Sequence, residues 1–147
     1  MEEILNVKTK PNIGKRFVAG LIDYGIINTI CFLIIMTFGT PDSEENYHLD
    51  GWPVLILILI WAFWTIGLEQ FFGATLGNSI MNLKAISSKG YKTKLTFEQS
   101  LKRHLLDIID MFFFGLIAYL IITKTEKNQR LGDLWAETIV VNVNSNK

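Results

Sequence analysis

Two long apolar runs, residues 17–38 and 53–72, constrain this chain more than any other feature. Each run approaches the roughly 20 residues that an α-helix needs to cross the hydrocarbon of a bilayer. The 147-residue chain is 50% hydrophobic, a fraction that soluble domains also reach. The clustering of the apolar residues therefore decides the class, and it predicts an all-α membrane protein with two full transmembrane helices.

A third apolar helical segment is predicted over residues 97–123. Its start carries Thr96-Phe-Glu-Gln99, which matches a capping box. Residues 111–122 are strongly apolar but reach only about 18 Å as a helix. The segment either crosses the membrane as a single span or returns as a re-entrant hairpin that turns near residues 111–115. We favour the hairpin because it returns the basic segment from Lys124 onwards to the cytoplasmic side.

Two further segments predict a small cytoplasmic β-element. Residues 81–95 alternate weakly between apolar and polar side chains, which predicts a β-hairpin. Residues 138–143 are rich in β-branched side chains and predict a strand that can pair with this hairpin. The predicted organisation is a flexible lead over residues 1–13, a membrane domain over residues 14–143 and a C-terminal tail over residues 144–147.

The distribution of basic residues predicts an orientation. All 14 Lys and Arg lie within residues 8–16, 84–103 and 124–147. The loop at residues 39–52 holds four acids and neither Lys nor Arg. Because basic residues stay on the cytoplasmic side, we expect a multi-pass protein with a cytoplasmic N-terminus and the 39–52 loop outside.

Charged residues inside the apolar runs are the candidates for function. Arg16 precedes the first run and Asp23 lies seven residues further on, close to two helical turns, so both share one helix face. Glu69 lies near the end of the second run, at a depth similar to Asp23 in two antiparallel helices. A carboxylate in hydrocarbon must find a partner or lose its charge. Asp23 and Glu69 are thus candidate ion- or proton-binding residues, and Arg16 is a candidate pairing or structural residue.

The charged residues of the third segment are expected to face water. They make the helix amphipathic, and Arg103 and Asp107, four residues apart, are able to pair. We therefore expect Asp107 and Asp110 on a solvated or locally paired face.

Several classes of site are not expected. Cys31 is the single cysteine, so it cannot form an internal disulfide. His48 and His104 fall on opposite sides of the predicted membrane and cannot share a metal. The chain has no nucleophile elbow, no HExxH motif and no cofactor fingerprint. We expect no metal, no cofactor, no enzymatic activity and no nucleic-acid binding, since acids match the basic residues.

Five features in order resemble the RDD family of bacterial membrane proteins, which is named for one arginine and two aspartates. Arg16 and Asp23 match the arginine and the first aspartate, and Asp133 matches the later one. Gly73-Ala-Thr-Leu-Gly77 is similar to the family's G-x-T-L-G-K turn, and Ala136-Glu-Thr-Ile-Val-Val141 to its A-G-T-x-V-V ending. The resemblance covers residues 14–142 and implies location in the bacterial inner membrane and a pairing or structural role for Asp133, through a helix cap or a salt bridge to Arg16.

The sequence departs from the family pattern at two positions. Asn78 stands where the family usually has Lys, which removes a basic group at the membrane surface. Glu137 stands where the family usually has Gly, and we expect it to exclude a glycine-only backbone conformation there.

Two functions remain open at this stage. The resemblance implies sodium/proton antiport, in which Asp23 would bind the cation and the proton while Glu69 and Arg16 tune it. The alternative is a non-transporting membrane scaffold or accessory subunit. In either case we expect the lipid bilayer as surroundings and a homo-oligomer or a partner membrane protein, because so few helices rarely enclose a pathway. Sodium ions and protons are the ligands of the first alternative.

Overall fold

The structure of the protein is a computed structural model, which describes residues 9–44, 46–89 and 94–143. It contains two helices that are long and apolar enough to cross a membrane, α1 (Ile13–Phe38) and the continuous helix Val54–Phe72. The two predicted transmembrane helices are thus confirmed. The first helix begins at Ile13, the last residue of the expected lead and four residues before the predicted start. The second begins at Val54, with Pro53 at the position before it.

The second long helix changes its winding part-way along. It runs as α2 (Val54–Ala62), a π-helical turn (Phe63–Gly67) and α3 (Leu68–Phe72). In the π-helical turn the hydroxyl of Thr65 donates a 2.7 Å hydrogen bond to the carbonyl of Trp61. Thr65 is buried there. Such turns re-aim side chains and are frequent at functional sites.

The third apolar segment is helical but sharply bent. It comprises α5 (Phe97–Leu105), α6 (Asp107–Asp110) and α7 (Phe112–Lys124). The predicted capping box starts α5. The chain bends by 114° between the stretch Phe97–Asp110 and the stretch Gly115–Lys124. Left-handed backbone at Phe113 (φ 50°) and Gly115 (φ 83°) marks the bend, at the place predicted for a hairpin.

Both ends of the bent segment contact the same side of the molecule. Near the start of α5, the Gln99 side chain donates to the carbonyl of Ala136 at 3.2 Å. After α7, the carbonyl of Asn128 accepts a 2.9 Å hydrogen bond from Arg16, at the N-terminal end of α1. These contacts favour the re-entrant hairpin over a single span, since a single span would separate its two ends across the membrane.

A two-stranded sheet joins the middle of the chain to its C-terminal part. Strand β3 (Leu83–Ser87) pairs antiparallel with β4 (Thr138–Asn142), and Ala85 lies opposite Val140. The predicted C-terminal strand is confirmed, and it is the partner of the strand within residues 81–95. In the second half of the predicted hairpin, residues 90–93 lie outside the described residues, and residues 94–95 form no strand. Apolar side chains hold this element together in a small core: Leu83, Ala85, Leu95 and Val140.

The remaining elements are short. A second pair of strands, β1 (Thr40–Pro41) and β2 (Tyr47–His48), pairs antiparallel within the exposed loop between the long helices. Helix α4 (Leu76–Ile80) follows the second long helix, and α8 (Leu131–Trp135) precedes β4. Helix α4 packs against α1, and α8 is joined to the N-terminal part of α1 by the ion pair between Arg16 and Asp133.

Candidate functional site

Asp23 is buried, with 6% of its surface exposed, and it accepts hydrogen bonds from neutral donors. Its carboxylate accepts from the hydroxyl of Thr75 at 2.7 Å and from the backbone N–H of Gly77 at 2.8 Å. The indole N–H of Trp64 donates at 3.4 Å. Among the described residues no Lys, Arg or His forms a salt bridge with it. The carboxylate therefore links α1 to the start of α4 without its charge being neutralised.

The sequence permits this contact because residue 77 is glycine. A Cβ at Gly77 would lie 2.1 Å from the carbonyl oxygen of Ala19 and 2.8 Å from a carboxylate oxygen of Asp23. No side chain fits in that space, so only glycine lets the backbone N–H reach the carboxylate. Thr75 also caps α4, since its hydroxyl accepts from the backbone N–H of Asn78 at 3.3 Å.

Glu69 has a different set of partners from Asp23. It is 1% exposed and lies 3.3 Å from Nη1 of Arg103. The hydroxyl of Ser100 donates to it, and Nε2 of His104 lies 3.4 Å away. In the part of the chain that the structure describes, no hydrogen bond joins Glu69 to Asp23. The two candidates therefore belong to separate groups of side chains.

Arg16 and Asp133 are brought together. Nη1 of Arg16 lies 3.1 Å from Oδ2 of Asp133, and the backbone N–H of Arg130 donates to the same carboxylate at 3.3 Å. Nε of Arg103 lies 3.4 Å from Oδ1 of Asp133. Burial raises the pKa of the Asp133 carboxyl, but the guanidinium groups of Arg103, Arg130 and Arg16 outweigh burial and hold that pKa below its usual value. Asp133 is therefore an anion that three cations share.

The expected solvated face of the third segment was wrong. Asp107 and Asp110 are 4% and 0% exposed. The expected pair between Arg103 and Asp107 was also wrong, since Arg103 contacts Glu69 and Asp133 instead. Local pairing nevertheless holds for Asp107, whose carboxylate lies 2.7 Å from Nδ1 of His104. Arg103 instead has long-range partners because its helix packs against α3 and α8.

Arg130, which sequence reasoning missed, is the basic partner of these aspartates. Its Nη1 lies 2.7 Å from Asp107, and its Nε lies 3.7 Å from Asp110 and 3.8 Å from Asp133. Burial lowers the pKa of Arg130, but the carboxylates of Asp107, Asp133 and Asp110 raise it above its usual value. Asp110 also accepts the backbone N–H groups of Leu131 and Gly132 at 3.1 and 3.0 Å, which positions α8.

These ion pairs form one connected group, which we name the charge cluster. Two signals in the sequence point to it. Arg103, Asp107 and Asp110 are spaced by four and three residues on one helix face, and Arg130 precedes Asp133 by three residues. The charge cluster consists of Arg16, Glu69, Arg103, His104, Asp107, Asp110, Arg130 and Asp133.

A cavity of about 330 Å³ lies between Asp23 and the charge cluster. Asp23 lines it together with Thr65, Thr75 and Asn78, and apolar side chains, mainly of α1 and α7, form much of its wall. Part of the charge cluster also faces it, through His104, Asp107 and the three arginines. Within the described residues no group of three or more His, Cys, Asp or Glu side chains has the arrangement of a metal site.

Comparison with protein families gives one match. The model of the RDD family matches residues 10–137, most of the chain. The chain belongs to the RDD family. No curated protein and no solved structure matches it. The predicted resemblance is thereby confirmed, and with it an RDD-type membrane protein whose apolar helices are long enough to span a bilayer.

In this RDD protein the residues that carry the resemblance fall into two groups. Asp23 lies with the Gly73-Ala-Thr-Leu-Gly77 turn, whereas Arg16 and Asp133 lie in the charge cluster. Glu137 adopts left-handed backbone with φ 53°, a region that residues other than glycine can occupy, so the expected exclusion of a glycine-only conformation is not contradicted. Its side chain forms a salt bridge with Lys89. A non-glycine residue therefore occupies the conformation that glycine adopts most readily.

Proposed function

We propose that this RDD protein exchanges a monovalent cation such as sodium for protons across the membrane, with Asp23 as the cation-binding carboxylate. The observation that carries the proposal is the cavity lined by Asp23, Thr65 and Thr75. It offers a carboxylate and two hydroxyl oxygens in the wall of one cavity, and hard cations take oxygen ligands. An ionisable side chain inside a membrane helix is by default a candidate functional group.

The charge state of the cavity supports Asp23 over the other acids. The carboxylates of the charge cluster contact arginine or histidine, as Asp107 contacts Arg130. Asp23 contacts neutral donors from Thr75, Gly77 and Trp64. Its negative charge is thus available to a cation, whereas a carboxylate paired with a guanidinium is already compensated.

The π-helical turn also supports the proposal. Phe63–Gly67 places Thr65 in the wall of the cavity, on the helix opposite Asp23. Because a π-helical turn disturbs the regular ladder of backbone hydrogen bonds, it is a common site of side chains that bind ligands. The hydroxyl of Thr65 uses its proton on the Trp61 carbonyl, which leaves its oxygen lone pairs as an acceptor.

Orientation and assembly are part of the same proposal. We place the N-terminus, the β3–β4 sheet and α8 in the cytoplasm, because the basic residues of the chain lie in or next to these segments. The loop at residues 39–52, which has no Lys or Arg, then lies outside the bacterial inner membrane. Large apolar side chains such as Phe32, Leu59 and Phe63 are more than half exposed. They support contact with lipid, or with a second copy that completes a pathway.

The experiment measures sodium-dependent proton flux. Purified protein is reconstituted into liposomes that contain a pH-sensitive dye, and a sodium gradient is imposed. We expect proton movement that Asp23→Asn reduces at least tenfold, while Asp50→Asn in the exposed loop leaves it unchanged. A folded Asp23→Asn protein, judged by size-exclusion chromatography in detergent, that exchanges as fast as the parent would reject Asp23 as the cation site.

A membrane scaffold remains the second candidate, and the contacts of Asp23 favour it specifically. This carboxylate links α1 to Thr75 and Gly77, so it has a structural use without any ligand. A scaffold predicts no sodium-dependent proton flux in the parent protein and a lower folded yield for Asp23→Asn. Chemical crosslinking in the native membrane to one stoichiometric partner protein would then support this candidate.

A further inference from the structure

We propose that His104, held as an imidazolium between Asp107 and Glu69, carries the proton that is exchanged. The inference rests on the proposed exchange and adds a second site to it, distinct from Asp23. Within the described chain, His104 is the histidine of the charge cluster, and it is 4% exposed. Its helix, α5, brings it against α3 and α6, which supply the two acids.

The geometry around the ring carries the proposal. Nδ1 of His104 lies 2.7 Å from Oδ2 of Asp107, and Nε2 lies 3.4 Å from Oε2 of Glu69. A neutral imidazole has one N–H, so its second nitrogen would present a lone pair to a carboxylate. An imidazolium donates to Asp107 through Nδ1–H and turns a second, positively charged N–H towards Glu69 at ion-pair distance, although Nε2 forms no hydrogen bond there. The arrangement therefore fits the protonated ring better than the neutral one, which would present a lone pair to one of the two carboxylates.

The charge balance of the cluster also favours a protonated His104. Without the histidine, the charge cluster holds three guanidinium groups against four carboxylates. A buried charge without compensation is costly. When all four carboxylates are ionised, one imidazolium balances the cluster, whereas a neutral ring leaves one negative charge in the interior. The proton on His104 is thus the counter-charge of the cluster.

The groups around His104 define a route for that proton. From α1, the phenol of Tyr24 donates a hydrogen bond to the carboxylate of Asp107. Asp107 and His104 both line the cavity that holds Asp23, and Arg130 contacts Asp107. Glu69 lies on the Nε2 side of the ring, and Arg103, which contacts Glu69, precedes His104 on α5. Asp107 is therefore the acid that connects the ring to the cavity.

Proximity in one cavity provides the coupling. A cation bound at Asp23 adds a positive charge to the low-dielectric space that the imidazolium also faces, and like charges there repel. The Nδ1–H bond of His104 breaks, its electron pair stays on nitrogen, and the proton leaves through Asp107 to water in the cavity. One cation enters as one proton leaves, so the total charge of the site is unchanged.

The first test reads the protonation state of the ring directly. Protein labelled with ¹⁵N-histidine is prepared in detergent, and His48→Gln assigns the two ring signals. We expect His104 to show two protonated nitrogens at neutral pH without sodium, and to move towards the neutral form when sodium is added. A neutral His104 ring in the sodium-free protein would overturn the inference. This measurement needs no transport, so a negative result leaves the role of Asp23 untouched.

The second test separates the two sites by flux. We expect His104→Gln to reduce sodium-driven proton movement at least tenfold while it retains the exchange of labelled sodium for unlabelled sodium, and His48→Gln to retain both. Asp23→Asn should lose both fluxes. His104→Gln protein that moves protons with the parent's rate and pH profile would exclude His104 as the carrier. If His104→Gln does not fold, the ring measurement on the parent protein decides.

Discussion

Asp23 and the charge cluster face the same cavity, yet their charges are held in opposite ways. At Asp23 one carboxylate is held by the neutral donors of Thr75 and Gly77. In the charge cluster every carboxylate contacts a cation, as Asp133 contacts both Arg16 and Arg103. The first arrangement leaves a charge available for a ligand, and the second uses its charges to join α1, α3, α5 and α8. Burial of an acid is therefore not enough to identify a functional site.

The largest expected effect comes from removing a cation of the charge cluster. Arg130→Met leaves Asp107, Asp110 and Asp133 with fewer positive partners, and breaking a buried ion pair costs about 3–5 kcal/mol. We expect a loss of that order in the free energy of unfolding in detergent. The matched control is Lys102→Met, which removes the more exposed pair with Glu98 and should cost far less. Equal effects of the two variants would show that the cluster does not stabilise the fold.

The next effect tests the close packing behind Asp23. Gly77→Ala places a methyl group 2.1 Å from the Ala19 carbonyl, so α4 must move away from α1 and the hydrogen bond to Asp23 must lengthen. Overpacking of this kind costs about 1–3 kcal/mol or more. The control is Gly25→Ala on α1, where the added atom meets nothing within 4 Å. Thermal unfolding of the two proteins should differ clearly, and a Gly77→Ala protein as stable as the control would contradict the close contact.

The sequence predicts much of the fold and only half of the site. The two long helices follow from length and hydropathy, and the bend of the third segment follows from the short apolar stretch before Lys124. Asp23 stands out because an acid in an apolar run has no local explanation. The partners of Asp107 and Asp110 could not be read from the sequence, because Arg130 and Tyr24 are distant in sequence and reach these aspartates only through the tertiary fold. Long-range pairing of this kind leaves no periodic signal.

A smaller effect separates function from stability at Asp23. Asp23→Asn keeps the size of the side chain and leaves the Thr75 and Gly77 donors with a weaker acceptor, which costs about 1–3 kcal/mol. We expect a stability loss below that of Arg130→Met, together with loss of sodium-dependent proton flux. The measurement pairs detergent unfolding with liposome flux on one preparation. A stability loss larger than that of Arg130→Met would show that Asp23 serves the fold more than the charge cluster does.

The smallest effect concerns acid stability and the pKa of Asp133. Its native pKa lies below the usual value of about 4 for an unfolded aspartate, so near that pH the unfolded chain binds more protons than the native one. The stabilisation is complete above about pH 4 and is lost as the pH falls towards the depressed native pKa. We expect the unfolding temperature of the parent protein to fall across that range and the fall to be shallower in Asp133→Asn. Asp50→Asn should keep the parent's slope, because Asp50 is exposed and contacts only the loop residue His48 among the described residues. Identical slopes in all three proteins would mean that the arginines around Asp133 do not hold it as an anion. The contrast between Asp23 and the charge cluster would then not lie in how their charges are compensated.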